Sequence, residues 1–156
     1  MDMDDDLKRW FAPFPVPDAN GVGDRYAISQ LMKIYALGID MRSYALCRSP
    51  FADSALCEGT VGKAAVDEYM PKVYQAAVVY EATQHNVTNQ HISLDGAEAL
   101  MWSEAVAYHM ETPGNGRENL VVGVQYRDLC KRFPQGWLIV RRNVRLRWVQ
   151  GPMPRK

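Results

Sequence analysis

His85, His91 and His109 are the side chains here that can gain or lose a proton near neutral pH. Neutral imidazole suits the removal of a proton from carbon beside a carbonyl or a leaving group, because its pKa lies close to working pH. Histidines can also hold zinc. His85 and His91 share strand parity, however, and would stand about 20 Å apart on a regular strand. No H-E-x-x-H or paired-cysteine motif supplies further ligands. Cys47, Cys57 and Cys130 form an odd set without C-x-x-C spacing, the pattern of reduced thiols in a cytoplasm. Gly21-Val22-Gly23 lacks the third glycine and the preceding strand of a dinucleotide fingerprint, and there is no G-x-S-x-G nucleophile elbow. Asn86-Val87-Thr88 fits a glycosylation sequon, yet Asp2, Asp4, Asp5 and Asp6 are the opposite of a basic signal-peptide start.

The elements that must carry such residues follow from periodicity. With 156 residues, 18 basic and 18 acidic, the chain reads as one neutral domain, long enough to bury a core around a small cavity. Its composition excludes disorder and a disulfide scaffold, and no apolar run approaches the roughly 20 residues of a membrane span. After Asp128 there are no acids, while Lys131, Arg132, Arg141, Arg142, Arg145, Arg147, Arg155 and Lys156 follow. Without net positive charge or a groove-reading motif, that basic end points to strand-edge charges pairing with acids elsewhere and not to nucleic acid.

Residues 1–23, with Pro13, Pro15, Pro17 and the aromatics Trp10, Phe11 and Phe14, read as an arm that packs on something. A first helix starts at an Asp24 cap and carries the stripe Ile28, Leu31, Met32, Tyr35 and Ile39. Ser43 caps a short second helix stopped by Pro50, and a third spans 61–77 with Pro71 kinking it. Extended segments follow near 82–94, 97–111, 119–132 and 136–149. They are separated by Asp95-Gly96, Pro113-Gly114-Asn115-Gly116 and Pro134-Gln135-Gly136. Three helices before an antiparallel meander make an α+β domain over 24–150, with 151–156 as a tail. In the second of these strands Ala99, Met101, Ser103, Ala105, Ala107 and His109 share a face, whose small side chains leave room for a cavity. In the last, Leu138, Val140, Val144, Leu146 and Trp148 share one face and Arg141, Asn143, Arg145 and Arg147 the other.

One ordered set of short motifs goes further. Tyr35-x4-Asp40 and Phe51-Ala52-Asp53 precede Gly59-Thr60-Val61-Gly62. Thr83-Gln84-His85, Thr88-Asn89 and Ile92-x-Leu94-Asp95-Gly96-x-x-Ala99 come next, then Tyr126-Arg127-Asp128 and Gly136-Trp137-Leu138-Ile139. Over roughly residues 24–150 this resembles the SnoaL-like branch of the nuclear transport factor 2-like superfamily. Within it the chain looks most like the lyases: scytalone dehydratase, hexachlorocyclohexane dehydrochlorinase and the bile-acid dehydratases. The resemblance implies a cone-shaped α+β barrel, three N-terminal helices packed on a strongly curved antiparallel sheet around a pocket. It also implies a catalytic His85 paired with Asp40, joined by Tyr35, which the bile-acid enzymes place five residues before the aspartate. His109 matches a second pocket histidine of scytalone dehydratase. Arg145 falls near a late-strand arginine of the bile-acid enzymes, with the register from Trp137 off by one. The pocket serine and asparagine of scytalone dehydratase are not matched; Val124 and Tyr126 stand there.

In that scheme Asp40 holds His85, His85 takes the proton, and Tyr35 donates its hydroxyl to a developing oxyanion or departing hydroxide. Other roles stand open for each residue. Asp40 also reads as a helix-end anchor, Tyr35 as a core tyrosine on its stripe, His85 and His109 as satisfied core histidines, and Arg145 as structural. Five residues along an ideal helix separate Tyr35 from Asp40 by about 140°, so both face one pocket only if the helix loosens at Gly38. The expected function is a lyase of dehydratase type, without metal or organic cofactor, acting on a small hydrophobic or polycyclic molecule such as a steroid, terpenoid or polyketide. The alternatives are an isomerase or polyketide cyclase using the same pocket, or a non-catalytic subunit like the small subunits of aromatic ring-hydroxylating dioxygenases. An open sheet face and an aromatic arm suggest a cytoplasmic homo-oligomer, dimer or trimer, with no membrane partner.

Overall fold

The computed structural model describes residues 19–152, so most of the N-terminal arm and residues 153–156 of the tail lie outside the described residues. Helix α1 (Val22–Asp40) begins two residues earlier than its sequence signal, at a left-handed Gly21 with no side-chain cap. Asp24 is not the cap. It lies in the first turn, where a carboxylate favours the positive end of the helix dipole, and it accepts from Arg132 and from Trp137 Nε1 at 3.0 Å. The expected stripe is the buried face: Ile28, Leu31, Met32, Tyr35 and Ile39. Ser43 caps α2 (Tyr44–Arg48) as expected, its hydroxyl accepting from the Leu46 N–H.

The next stretch departs from the sequence reading. Residues 51–65 form a hairpin, β1 (Phe51–Gly59) and β2 (Gly62–Ala65), joined at Gly59↔Gly62 with Gly62 at φ 106°. The third helix, α3 (Val66–Val78), therefore starts at Val66 and not at residue 61. Gly59-Thr60-Val61-Gly62 is a turn between strands, where a left-handed glycine is needed. Pro71 stays inside α3, and Val66, Tyr69, Met70 and Ala77 point inward.

The four long strands are β3 (Ala82–Asp95), β4 (Glu98–Met110), β5 (Leu120–Phe133) and β6 (Gly136–Gln150). The sheet order is β2-β1-β6-β5-β4-β3. Because β1 runs parallel to β6, the six-stranded sheet is mixed, not antiparallel throughout, and its curved surface does not close into a full barrel. Register shifts between Phe51 and Leu56, Thr88 and His91, Gly123 and Val124, and Leu129 and Cys130 supply the bending. The last of these changes the expected parity of β6. Leu129 pairs with Arg141 but Cys130 with Ile139, leaving Val140 as the extra residue. Inward positions are therefore Trp137 and Ile139, then Arg142, and Leu138 and Val140 do not share a face with Val144 and Leu146. In β4 the predicted face of Ala99, Met101, Ser103, Ala105, Ala107 and His109 is the buried one. The basic end is spread among acids: Lys131 with Glu98, Arg132 with Asp24, Arg142 with Asp128. Among the described residues, no helix is long and apolar enough to cross a membrane.

Gly38 is where α1 and α2 touch. A Cβ there would lie 2.2 Å from the Cys47 backbone nitrogen and 2.5 Å from its Cα, and backbone atoms cannot step aside. Gly23, also helical, has open space around it. Gly38→Ala should therefore cost about 2 kcal/mol or more in urea unfolding, the scale of overpacking. Gly23→Ala should gain up to about 1 kcal/mol from helix propensity alone.

Candidate active site

The helices and the concave face of the sheet enclose a cavity of about 170 Å³. Its wall is largely apolar, with Ile39, Met70, Val73, Val122 and Val124 among its members, and its polar groups fall at two poles.

At one pole, α1 ends on Asp40 and β3 brings up His85. The His85 backbone N–H donates to Asp40 Oδ2 at 2.8 Å, and Nδ1 lies 2.7 Å from Oδ1. The Thr83 hydroxyl donates to the same Oδ1 at 2.9 Å. Half-burial alone would raise the Asp40 pKa, but the donors from His85 and Thr83 outweigh it and hold the carboxyl below its ordinary value. An ionised carboxylate can only accept, so the proton sits on Nδ1 and Nε2 is left bare. His85 lines the cavity, its side chain only 5% exposed, whereas Asp40 stands behind it. The pair has the orientation a general base requires.

This arrangement also resolves the angular problem posed by Tyr35 and Asp40. The helix continues through Gly38 without loosening. Tyr35 faces β5 and β6, and Asp40 faces β3, so they serve one cavity from different sides. His109 completes the first pole. Its ring stands edge-on to His85, with centroids 5.9 Å apart, and 5.0 Å from Tyr80. Its Nδ1 is buried without a hydrogen-bond partner among the described residues. Burial and then the neighbouring His85 push its pKa below the ordinary 6.5.

The second pole was not foreseen. Arg142 is fully buried and grips the equally buried Asp128 through Nε at 2.8 Å and Nη2 at 2.7 Å. Its guanidinium carbon lies 4.4 Å from the Tyr35 ring centroid, 4.7 Å from that of Phe51 and 4.9 Å from that of Tyr126. Nη1 has no partner among the described residues, and neither has the buried Tyr69 hydroxyl. Tyr35 and Tyr126 are hydrogen-bonded to each other. Burial raises both phenols, Tyr126 to about 12, despite the nearby arginine. Arg145 is elsewhere: it alternates with Val144 and Leu146, which line the cavity, and so points to the opposite face of β6. Thus Tyr35, His85 and His109 meet on one cavity, Asp40 backs it, and Arg142 takes the place expected of Arg145. Alternation along β6 already sets Arg142 in the row of Val144 and Leu146, so the signal was a lone cation in an otherwise apolar row. Thr83, by contrast, was legible as a residue two before His85 on the same strand face.

Among the described residues no three His, Cys, Asp or Glu side chains converge where a metal ion could be held. All three thiols are buried, with Cys47 and Cys57 pushed by burial to about 12 and 11.

The family model for the SnoaL-like domain matches residues 21–143. Among solved structures, a scytalone dehydratase-like protein of Novosphingobium aromaticivorans superposes with a TM-score of 0.75 at 22% identity, covering 86% of this chain and 91% of that one. A hexachlorocyclohexane dehydrochlorinase of Novosphingobium barchaimii gives 0.72 at 17% identity, covering 86% and 93%. A Kribbella flavida protein gives 0.73 at 18% identity, covering 84% and 95%. At these identities the likeness establishes the fold. No curated protein matches the chain in sequence.

The His109 environment makes a pH prediction. The folded protein binds this proton less readily than the unfolded chain, so stability should be full above about pH 6.5 and fall as pH drops toward the folded value. Replacing His109 by Gln should flatten the Tm profile between about pH 7 and 5 and leave the steeper acid loss below about pH 4, where Asp40 protonates.

Proposed function

The chain belongs to the SnoaL-like domain family, and from that premise we propose that it is a cofactor-independent lyase that eliminates a leaving group from a small hydrophobic molecule by proton abstraction. The observation that carries this is the 2.7 Å contact between His85 Nδ1 and Asp40 Oδ1, which leaves Nε2 facing an apolar cavity. His85 Nε2 removes a proton from carbon. The C–H electron pair becomes the new double bond, and the leaving group departs with its own bonding pair. Asp40 holds the ring and stabilises the imidazolium as it forms. Acid–base assistance of this kind contributes roughly 10²- to 10⁴-fold.

Tyr35 stands at the second pole, and its hydroxyl, on exchanging its bond with Tyr126 for one to the substrate, would hydrogen-bond a developing oxyanion or a departing hydroxide. His109 contacts the substrate beside the base. Arg142, not Arg145, is the cation of the wall, and its charge favours an electron-rich oxygen or halogen on the substrate. A cavity of about 170 Å³ is close to the roughly 150 Å³ that takes a benzene ring. The reacting ring of a terpenoid, steroid or polyketide fits there, and larger parts extend through the mouth. The outer face of the sheet, where Met110 and Trp148 are exposed, is the surface on which two or three copies would pair.

An isomerase would use the same abstraction but return the proton to another carbon, so the product mass separates the two. With β-hydroxy ketones and halogenated rings as the test panel, mass loss of water or hydrogen halide is expected. His85→Ala and Asp40→Asn should each lower turnover by about 10²- to 10⁴-fold while both variants stay folded by circular dichroism. Wild-type turnover in either variant would remove the assignment.

A further inference from the structure

On the reading that His85 is the base, we infer that Arg42 and Thr83 are positioning residues that hold the Asp40 carboxylate against His85 Nδ1 and so keep Nε2 free for the cavity. The end of α1 has the geometry of a Schellman turn. The Ser43 N–H reaches Gly38 O at 2.8 Å, and the Arg42 N–H reaches Ile39 O at 3.1 Å. The left-handed residue of such a turn is ordinarily glycine, yet here it is Arg42, at φ 58°.

The side chain gives that exception a use. Arg42 Nη1 donates to Thr83 Oγ1 at 2.9 Å and reaches Ile39 O at 3.3 Å, while Nη2 donates to Tyr80 O at 2.8 Å. One guanidinium therefore ties the last turn of α1 to Tyr80, just before β3, and to Thr83 at the start of the strand that bears His85.

It also fixes a direction. Arginine only donates, so it occupies a lone pair of the Thr83 oxygen, and the single hydroxyl hydrogen goes to Asp40 Oδ1, 2.9 Å away. That matters because Asp40 is the last residue of α1, where a carboxylate meets the negative end of the helix dipole. A carboxylate that swung away from Nδ1 would release the ring to its other tautomer and leave the wrong ring nitrogen bare. The relay from Arg42 through Thr83 opposes this. The other titratable or charged groups around His85 are His109 on β4, Tyr80 behind His109, and Tyr35, Tyr126 and Arg142 across the cavity.

The test uses the ligand-free full chain and two nuclear magnetic resonance readouts, the carbon titration of the Asp40 carboxyl and the nitrogen shifts of the His85 ring. The parent protein should show a proton on Nδ1. Thr83→Val should raise the Asp40 midpoint and, by letting the carboxylate swing off Nδ1, populate the neutral ring protonated on Nε2; Thr83→Ser should restore both. Arg42→Gln should move both readouts in the same direction as Thr83→Val. With a turned-over substrate, Thr83→Val should lower kcat about tenfold with KM within about twofold, as lost orientation does. Folded Thr83→Val and Arg42→Gln proteins with unchanged Asp40 and His85 signals would overturn the positioning role. Because the spectra need no substrate, an active His85→Ala enzyme would sink the base assignment and leave the spectroscopic result standing.

Discussion

One carboxylate joins the helical layer to the sheet at the place where a base is wanted. Asp40 is the final residue of α1, and it takes hydrogen bonds from Thr83, from the His85 backbone and from the His85 ring. A lone ionised group at the negative end of a helix would be out of place electrostatically. Here the strand supplies the donors that make it acceptable. Removing the aspartate would therefore leave an unaligned imidazole and also unpin the start of β3. Position and protonation state have the same cause.

The opposite pole works by a different balance. Arg142 and Asp128 are both out of water, which costs several kcal/mol per ion unless the geometry is good. The bidentate contact and the ring faces of Tyr35, Phe51 and Tyr126 offset that cost. Between the two poles the wall is aliphatic and aromatic, so a bound molecule would meet few dipoles that could reorganise. The cavity has room at β4 because Ala107 stands on its wall where a larger residue would fill it. Further along, Met101 and Ser103 lie beneath α1, where Gln90 bonds Ser103 and Ser29 bonds Gln90.

Elements with a strong period were legible in the sequence. The stripe on α1, the Ser43 cap and the four long strands stand within a residue or two of their expected bounds, and the small-residue face of β4 is the buried one. Apart from the Asp24 cap, which contacts with Arg132 and Trp137 draw away from the helix end, the failures lie where pairing between strands overrides local pattern. The hairpin at residues 51–65 is short, and β1 gains its place by lying parallel to β6, whose pairing residues lie far along the chain, Phe51 opposite Ile139 and Glu58 opposite Asn143. No local signal announces that. The placing of Asp40 beside His85 came from the order of motifs and not from periodicity, and the coordinates bring the two within hydrogen-bond reach. Arg142 was passed over for a simpler reason: counting by twos along β6 sets it in the apolar row of Val144 and Leu146, where a buried cation is not expected.

The unpaired Val140 has an implication of its own. A strand that counts odd at one point behaves like a switch in a railway track, sending the side chains that follow down the other line as far as Leu146, beyond which Arg147 is a second extra residue. Losing Val140 would carry a guanidinium out to solvent and leave the Asp128 anion stranded in the interior. The damage from so small a deletion would thus be electrostatic before it was steric, and no swap of one hydrophobic side chain for another nearby could repair it.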